Sequence, residues 1–178
     1  MRTIVLLGLM GTGKSSIGRA LAMRIGGTYS DSDEHLERAT GMTARQLLAN
    51  RGIAAVHGAE RAHLLDELGE AERTKPCVIG AAASVIDTPE VRDAIRASGA
   101  TVVWLRARVD TLVRRFEDAV QGGHRPRYND DLATMFRDQI ARRAPRYESL
   151  AAIIVDTDDL DVALIAATLA AQIDLLTR

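Results

Sequence analysis

The stretch G-L-M-G-T-G-K-S at residues 8–15 restricts the fold of this chain more than any other segment. It follows the short apolar run TIVLLG and precedes apolar residues at helical spacing (Ile17, Leu21 and Ile25), so it joins a buried strand to a helix. It fits the pattern G-x-x-x-x-G-K-[ST], in which glycines let the backbone approach phosphate groups and successive N–H groups form an anion site at a helix start. The sequence therefore predicts a site for the phosphates of a nucleotide.

Lys14 and Ser15 supply the charged and metal-binding groups of this predicted site. The Lys14 ammonium group can bridge the β- and γ-phosphates, and the Ser15 hydroxyl can bind Mg²⁺. We therefore predict ATP and Mg²⁺ as cofactors. The predicted nucleotide-binding residues of the loop are Gly11, Thr12, Gly13, Lys14, Ser15 and Ser16, and Ser15 is also a predicted metal ligand.

Apolar runs alternate with helical spacings along the chain, which predicts an α/β fold of three layers: a five-stranded parallel sheet with helices on both faces. We expect a single domain over residues 1–178, because the sequence has no linker composition and no internal repeat. The polar segment DAVQGGHRPRYND, residues 118–130, is predicted to be a mobile loop. The predicted strands are TIVLLG, GGTYSDSD, PCVIG, TVVWL and AIIVD, and the predicted helices cover residues 14–25, 34–39, 43–50, 54–73, 89–98, 109–117, 132–144 and 160–176.

Composition argues against several classes of function. The formal net charge is −1 over 178 residues, whereas a general nucleic-acid or membrane-surface binder would carry an excess of basic residues. No apolar stretch approaches the ~20 residues that span a bilayer. Cys77 is the single cysteine, which excludes an internal disulfide and indicates a buried, unreactive thiol. We expect a cytoplasmic protein that binds neither nucleic acid nor membrane.

Three further segments carry a family resemblance. DSDEHLERATGMTARQLLANRG contains D-x-D followed by T-G, RRAPRYESLA contains R-x-P-x-Y, and MGTGKSSIGRALA surrounds the phosphate loop. Together they resemble the shikimate kinases over nearly the whole chain. The resemblance implies a P-loop NTPase fold like that of the nucleoside monophosphate kinases, with a mobile lid at about residues 118–131 and acceptor-binding helices at about residues 34–73. It also implies transfer of the γ-phosphoryl group of MgATP to shikimate or a similar cyclic hydroxylated acid, as in aromatic amino acid biosynthesis.

The same resemblance assigns roles to four residues. Asp31, the first acid of D-x-D, would support the Mg²⁺ site, and Asp33 would hydrogen-bond the acceptor hydroxyl, whose proton a carboxylate can accept. Arg125 in the lid would reach the transferring phosphates, and Arg115 would pack on the adenine ring. Lys14, Asp33 and Arg125 are thus the predicted catalytic residues. In the alternative interpretation none of these four residues binds a ligand. Asp31 and Asp33 would only interact favourably with a helix dipole, and Arg115 and Arg125 would only be solvated side chains.

The acceptor site departs from the family pattern. Arg143 matches the arginine of R-x-P-x-Y that holds the acceptor carboxylate, but His57 stands where the family has a second arginine. The histidine side chain is mostly neutral near pH 7 and lacks the bidentate fork of arginine. Ala81, Ala82 and Ala83 align with a glycine triplet, or lie one residue out of register with it. We predict Asp33, His57, Ala82, Ala83 and Arg143 as acceptor-binding residues.

These replacements predict a tighter pocket that attracts anions less, because alanine adds methyl groups and disfavours positive φ. Arg61, four residues after His57 on a predicted helix, either substitutes in part for the missing arginine or is only solvated. Two other functions stay open: a divergent paralogue that phosphorylates another polyol or cyclitol, and a nucleotide-binding protein without kinase turnover. A nucleoside monophosphate kinase is disfavoured, because its acceptor phosphate needs several arginines. We expect a small-molecule hydroxylated acceptor and a monomer.

Overall fold

Five strands form one parallel sheet in the computed structural model, which describes residues 2–70, 72–121, 131–159 and 161–176. The strand order is β2-β3-β1-β4-β5, and all four neighbouring pairs are parallel. The strands are β1 (Thr3–Leu7), β2 (Thr28–Asp31), β3 (Cys77–Gly80), β4 (Thr101–Arg106) and β5 (Ile153–Asp156). The predicted fold class is therefore confirmed in its sheet.

Helices cover both faces of the sheet. They are α1 (Lys14–Arg24), α2 (Ser32–Thr40), α3 (Ala44–Gly69), α4 (Pro89–Ala97), α5 (Val109–Gln121), α6 (Leu132–Glu148) and α7 (Val162–Leu176), with a 3₁₀ turn at Val85–Asp87. Side chains alternate along β1: Ile4 and Leu6 pack with α1 and α7, whereas Val5 and Leu7 pack with residues of α3 to α6. Because both sides are covered, β1 and β3 read as continuous apolar runs rather than alternating ones.

Local chemistry sets the ends of the two helices that follow β2. The Asp31 carboxylate accepts a hydrogen bond from the backbone N–H of Asp33, so α2 begins earlier than the predicted residue 34. Thr43 and Gln46 form a capping box at the start of α3. Gly52, with φ 77° and ψ 174°, interrupts α3 inside the gap between the two predicted helices 43–50 and 54–73.

Three other predicted boundaries are wrong by several residues. Helix α6 continues past residue 144 through Pro145 to Glu148, because Arg143 and Tyr147 are buried by the packing of its last turn. Helix α3 ends at Gly69 rather than at residue 73, and Arg73 folds back to donate to the carbonyl of Glu67. Helix α5 includes residues 118–121, which were predicted as loop; the rest of the predicted lid, residues 122–130, lies outside the described residues.

Two further expectations from the sequence were that no segment spans a membrane and that the single cysteine is buried. Over the described ranges, no helix is both long enough and apolar enough to cross a bilayer. Cys77 is buried on β3, as predicted, and burial raises the pKa of its thiol. A raised thiol pKa lowers the thiolate fraction, which fits a packing role.

Candidate active site

The carboxyl ends of β1, β2 and β3 lie side by side at one edge of the sheet. Leu6 of β1 and Asp31 of β2 both pair in register with Gly80 of β3. The loop at residues 8–13 leaves β1 at this edge, the D-x-D segment leaves β2, and the alanine triplet leaves β3. In open parallel sheets, ligands bind at this edge.

The loop between β1 and α1 is organised around an anion-binding helix start. Gly13 is the N-cap residue of α1 at φ 87°, and no side chain caps this end within the described part of the chain. The first turn of α1 also contains no acidic residue. The Lys14 ammonium group donates to the carbonyls of Gly8 and Leu9 at 2.9 and 3.0 Å, so its charge lies over the loop. Uncapped amides beside a fixed ammonium group fit the phosphates of a nucleotide.

Ser15 in the first turn of α1 and Asp31 at the end of β2 are brought together. The Ser15 hydroxyl donates to Oδ2 of Asp31 at 3.0 Å. The other oxygen of Asp31 accepts from the Asp33 backbone N–H at 3.0 Å and so fixes the orientation of the carboxylate. A hydroxyl and a carboxylate are hard oxygen ligands of the kind that Mg²⁺ prefers. The two predicted metal residues therefore fit that ion.

Tyr29 is a residue of this site that the sequence reasoning missed. Its hydroxyl donates to Oδ2 of Asp31 at 2.9 Å, and burial raises the pKa of its phenol. The ring lies between α1 and β3, where both neighbours are glycines: a Cβ at Gly18 would lie 2.2 Å from the ring, and one at Gly80 would lie 2.1 Å from the hydroxyl. The space that Tyr29 occupies therefore explains why residue 80 is a glycine. The signal in the sequence was weak: Tyr29 lies in a predicted strand, but the two glycines that make room for its ring are far from it along the chain.

Tyr29→Phe keeps the ring and removes the hydrogen bond to Asp31. We expect the Mg²⁺ concentration for half-maximal activity to rise about three- to tenfold, since a single hydrogen bond contributes roughly 0.5–1.5 kcal/mol. Activity should recover at saturating Mg²⁺, which a titration of initial rate against Mg²⁺ would show. An unchanged Mg²⁺ dependence would contradict a role for Tyr29 in orienting Asp31.

Arg115 joins the phosphate loop to the segment after β5. It donates to the carbonyl of Gly11 at 3.0 Å, and on the other side to the carbonyls of Thr157 and Asp158 at 2.6 and 3.1 Å. It is half-buried rather than a solvated surface arginine. Arg115 thus joins Gly11 to the segment that follows β5.

The acceptor side is centred on Glu60 of α3. Burial raises the pKa of Glu60, and the Ser84 hydroxyl donates to its carboxylate at 2.6 Å. Asp33, His57 and Arg143 all act on this carboxyl group electrostatically. His57 lies one turn before Glu60 on α3 and is exposed, and Ser84 directly follows the alanine triplet. The hydrogen bond between Ser84 and Glu60 therefore brings the alanine segment next to this part of α3.

Arg143 is almost completely buried, with its side chain 8% exposed. Its Nε and Nη2 atoms donate to Oδ2 of Asp87 at 3.1 and 2.8 Å, and its Nη1 atom donates to Gln139 at 2.8 Å. Burial alone would raise the pKa of Asp87, but the hydrogen bond and charge of Arg143 and its neighbours lower it. The predicted anchor for an acceptor carboxylate is thus already paired with a carboxylate of this chain.

The alanine triplet adopts ordinary backbone angles. The amide of Ala81 donates to the carbonyl of Leu6, which extends the pairing of β3 with β1. No residue other than glycine has positive φ in the described ranges, so Ala82 and Ala83 need no glycine-like conformation. The buried Tyr147 hydroxyl donates to the carbonyl of Ala83 at 3.1 Å. The tyrosine of R-x-P-x-Y therefore holds this segment in place.

A polar network of Ser30, His63 and Glu67 joins β2 to α3. The Ser30 hydroxyl donates to Glu67 at 2.6 Å and lies 2.8 Å from Nε2 of His63. Since that hydroxyl has one proton, His63 donates through Nε2, and its Nδ1 has no hydrogen-bond partner. Burial and then the charge of His35 lower the pKa of His63, in agreement with a neutral ring. This network fixes the residue that precedes Asp31.

The structure brings together most of the predicted residues. Lys14, Ser15 and Asp31 share one edge with Asp33, and Ser16 is exposed on the first turn of α1. Arg125, the predicted lid arginine, lies outside the described residues. Arg61 is exposed on α3. Over the described ranges, no group of three or more histidine, cysteine or acidic side chains is arranged to hold a metal ion.

Comparison with known proteins gives consistent matches. A family model described as "Shikimate kinase" matches residues 10–174 of the chain. The chain is 36% identical over 168 residues to a shikimate kinase of Paramagnetospirillum magneticum, an alignment that covers 92% of this chain and 80% of that protein. It is 33% identical over 175 residues to a shikimate kinase of Alteromonas mediterranea, with 98% of each chain covered.

A solved structure gives the same result for the fold. The structure described as shikimate kinase from Acinetobacter baumannii in complex with shikimate superposes with a TM-score of 0.87 and 24% sequence identity. The superposition covers 100% of this chain and 95% of that one. The predicted fold class, a P-loop NTPase with a five-stranded parallel sheet, is confirmed.

Proposed function

This chain belongs to the shikimate kinase family, and we propose on that basis that it transfers the γ-phosphoryl group of ATP to a hydroxyl group of shikimate. The relatives are named shikimate kinases, so the reaction class is that of an ATP-dependent phosphotransferase. The small-molecule acceptor is in keeping with the neighbouring structure that contains shikimate. A cytoplasmic location and a monomeric state stay predictions.

The observation that supports this proposal best is the hydrogen bond between Ser15 and Asp31. It is 3.0 Å long and joins the phosphate loop after β1 to the D-x-D segment after β2. Asp33 follows Asp31 by two residues and lies in the first turn of α2, at the same edge of the sheet. This proximity supports a nucleotide phosphate site and an acceptor carboxylate within reach of each other, as direct phosphoryl transfer requires.

The residues divide the work of the reaction. Lys14 and the amides at the start of α1 would bind the terminal phosphates, and Ser15 with Asp31 would hold Mg²⁺. Mg²⁺ bound there would neutralise charge on the transferring group. Asp33 would orient the acceptor hydroxyl and accept its proton. Since phosphoryl transfer depends mostly on positioning and electrostatics, Arg115 would contribute by holding Gly11 in place.

A coupled assay of ADP release tests the proposal directly. Shikimate would be compared with a panel of cyclitols and sugar acids at fixed MgATP. We expect shikimate to give the largest kcat/KM. ADP release that does not depend on any acceptor would instead favour a nucleotide-binding protein without kinase turnover, and a larger kcat/KM for another compound would identify that compound as the acceptor.

A second candidate acceptor is a neutral cyclitol or polyol. It is favoured by what the structure shows at positions 57 and 143, where the family pattern has arginines that bind the acceptor carboxylate. His57 is exposed and offers no bidentate fork, and Arg143 is already paired with Asp87. A pocket whose one arginine is already paired selects a carboxylate less strongly than a pocket with two free arginines. The acceptor panel above separates the two candidates, because only one of them carries that group.

His57→Arg tests whether shikimate is bound weakly for lack of the second arginine. The new side chain would supply a permanent charge and a planar fork, and we expect the KM for shikimate to fall about tenfold, the effect of one charge-assisted contact. His57→Lys is the matched control, since it adds the charge without the fork and should give a smaller gain. No change or an increase in KM would favour a different acceptor.

A further inference from the structure

Asp87 lies at the centre of a cluster of three arginines. It ends the 3₁₀ turn that follows the alanine triplet, and its carboxylate faces the last turns of α6. Arg143 and Arg146 both donate to it, one to each carboxylate oxygen, and Arg142 lies 3.6 Å away. The four side chains together carry a net charge of +2, because three guanidinium groups face one carboxylate. Asp87 is therefore held strongly in its ionised form.

The pairing leaves Arg143 little capacity for another anion. One edge of its guanidinium group, Nε with Nη2, is filled by a single Asp87 oxygen, and Nη1 is taken by Gln139. Only 8% of the Arg143 side chain is exposed. A carboxylate on a bound molecule can reach this fork only if it displaces Asp87 or shares the guanidinium group with it. Both carboxylates are negative, so sharing is opposed by their repulsion.

Arg143 is nevertheless part of the acceptor site described above. Its partner Asp87 ends the 3₁₀ turn that directly follows Ser84, and Ser84 donates to Glu60. Tyr147, one turn after Arg143 on α6, donates to the carbonyl of Ala83. The Arg143 fork therefore lies beside the predicted acceptor residues. The partners of Arg143 therefore influence what the cleft accepts. Arg146 and Arg142 are 35% and 55% exposed, so part of the positive charge of the cluster faces solvent.

We propose that Asp87 is a specificity-determining residue: an internal carboxylate that occupies the Arg143 fork and so weakens the discrimination between an acidic acceptor and its neutral counterpart. This inference rests on the proposed function, because it names the acceptor site of that reaction. Asp87 and the carboxylate of an acidic acceptor compete for the Arg143 fork, so the acidic acceptor binds less tightly because it must displace Asp87. A neutral acceptor of the same shape does not compete with Asp87, and its affinity is not reduced. Removing the charge of Asp87 should restore the preference for the acid.

Binding of shikimate and of its methyl ester tests the proposal without any turnover. The two compounds share one ring and differ in the charged group. Calorimetric titration in the absence of ATP would give their Kd values for the wild-type protein, Asp87→Asn and Asp87→Ser. Asp93→Asn is the matched control, because Asp93 is exposed on α4 and pairs only with Arg96 among the described residues.

We expect the wild-type protein to bind acid and ester with Kd values within about threefold of each other, since the charge-assisted contact of roughly tenfold or more is not available. In Asp87→Asn and Asp87→Ser, the acid should bind about tenfold tighter or better, and the ester should not change. Asp93→Asn should behave as the wild type. A wild-type preference for the acid above about tenfold, or parallel changes for acid and ester, would overturn the proposal.

The ADP-release assay on the wild-type protein reports the proposed function separately. Shikimate-dependent ADP release together with unchanged Kd values in the Asp87 variants would leave the function in place and remove the role of Asp87. A gain for the acid in those variants without any shikimate-dependent ADP release in the wild type would do the reverse. If neither variant folds, a wild-type preference for the acid above about tenfold would still overturn the proposal.

Discussion

Lys14→Ala should reduce kcat for phosphoryl transfer by about a thousandfold, the loss seen when a preorganised charge is removed from a transition state. The ammonium group is held over the loop by the carbonyls of Gly8 and Leu9, so it is in position before a nucleotide binds. Alanine removes this charge and leaves only backbone amides at the start of α1. Steady-state rates of ADP release with the best acceptor would measure the effect.

The chain offers a clean control for this experiment, because Lys75 is its other lysine. Lys75 is exposed in the connection before β3, and Lys75→Ala should keep the wild-type rate. A thermal melt of both variants would separate loss of chemistry from loss of folding. Full activity in folded Lys14→Ala would remove the assignment of the loop at residues 8–15 as the phosphate site.

Asp33→Asn should lower kcat by about a hundredfold or more, within the range for loss of a general base. Asparagine has almost the same shape but cannot accept the proton of an attacking hydroxyl. Nucleotide affinity should change little, because the Mg²⁺ support comes from Asp31, whose contacts to Ser15 and to the backbone N–H at position 33 would remain. Titration with a non-hydrolysable ATP analogue would measure that affinity, and the ADP assay would measure kcat.

Asp93→Asn serves as the control here as well, since it makes the same chemical change on the exposed surface of α4. Equal losses in kcat and in nucleotide affinity for Asp33→Asn would argue against an acceptor role. They would place this carboxylate at the metal instead. A split between the two quantities is what distinguishes the two acids of the D-x-D segment.

The sheet and the phosphate loop could be predicted from the sequence because their signals are local. Five short apolar runs, each followed by a helical pattern, leave few arrangements other than a parallel sheet. Gly52 illustrates a weaker local signal: a break was expected between residues 50 and 54, and the structure has a kink there. Pro145 misled the prediction, since proline in a helix costs a hydrogen bond, but burial of Arg143 and Tyr147 overrides that cost.

The partners of the site residues could not be predicted, because they are far apart in the sequence. Asp87 and Arg143 are separated by 56 residues, and Ser84 and Glu60 by 24. A single sequence shows that each of these side chains is polar, but not which of them meet. Tyr29 was overlooked for a related reason: its contact with Asp31 is local, but the space for its ring comes from Gly18 and Gly80 on two other elements.

The enclosed ring of Tyr29 has a consequence for any attempt to redesign this protein. Positions 18, 29 and 80 behave as one unit, since a methyl group at either glycine would collide with the phenol and shift the carboxylate to which it donates. A substitution at position 80 on the interior of the sheet would then alter metal affinity without touching any ligand. Mutant libraries that sample these three sites one at a time would find mostly damaged variants, whereas paired changes, such as a smaller side chain at 29 with alanine at 80, could preserve the fold.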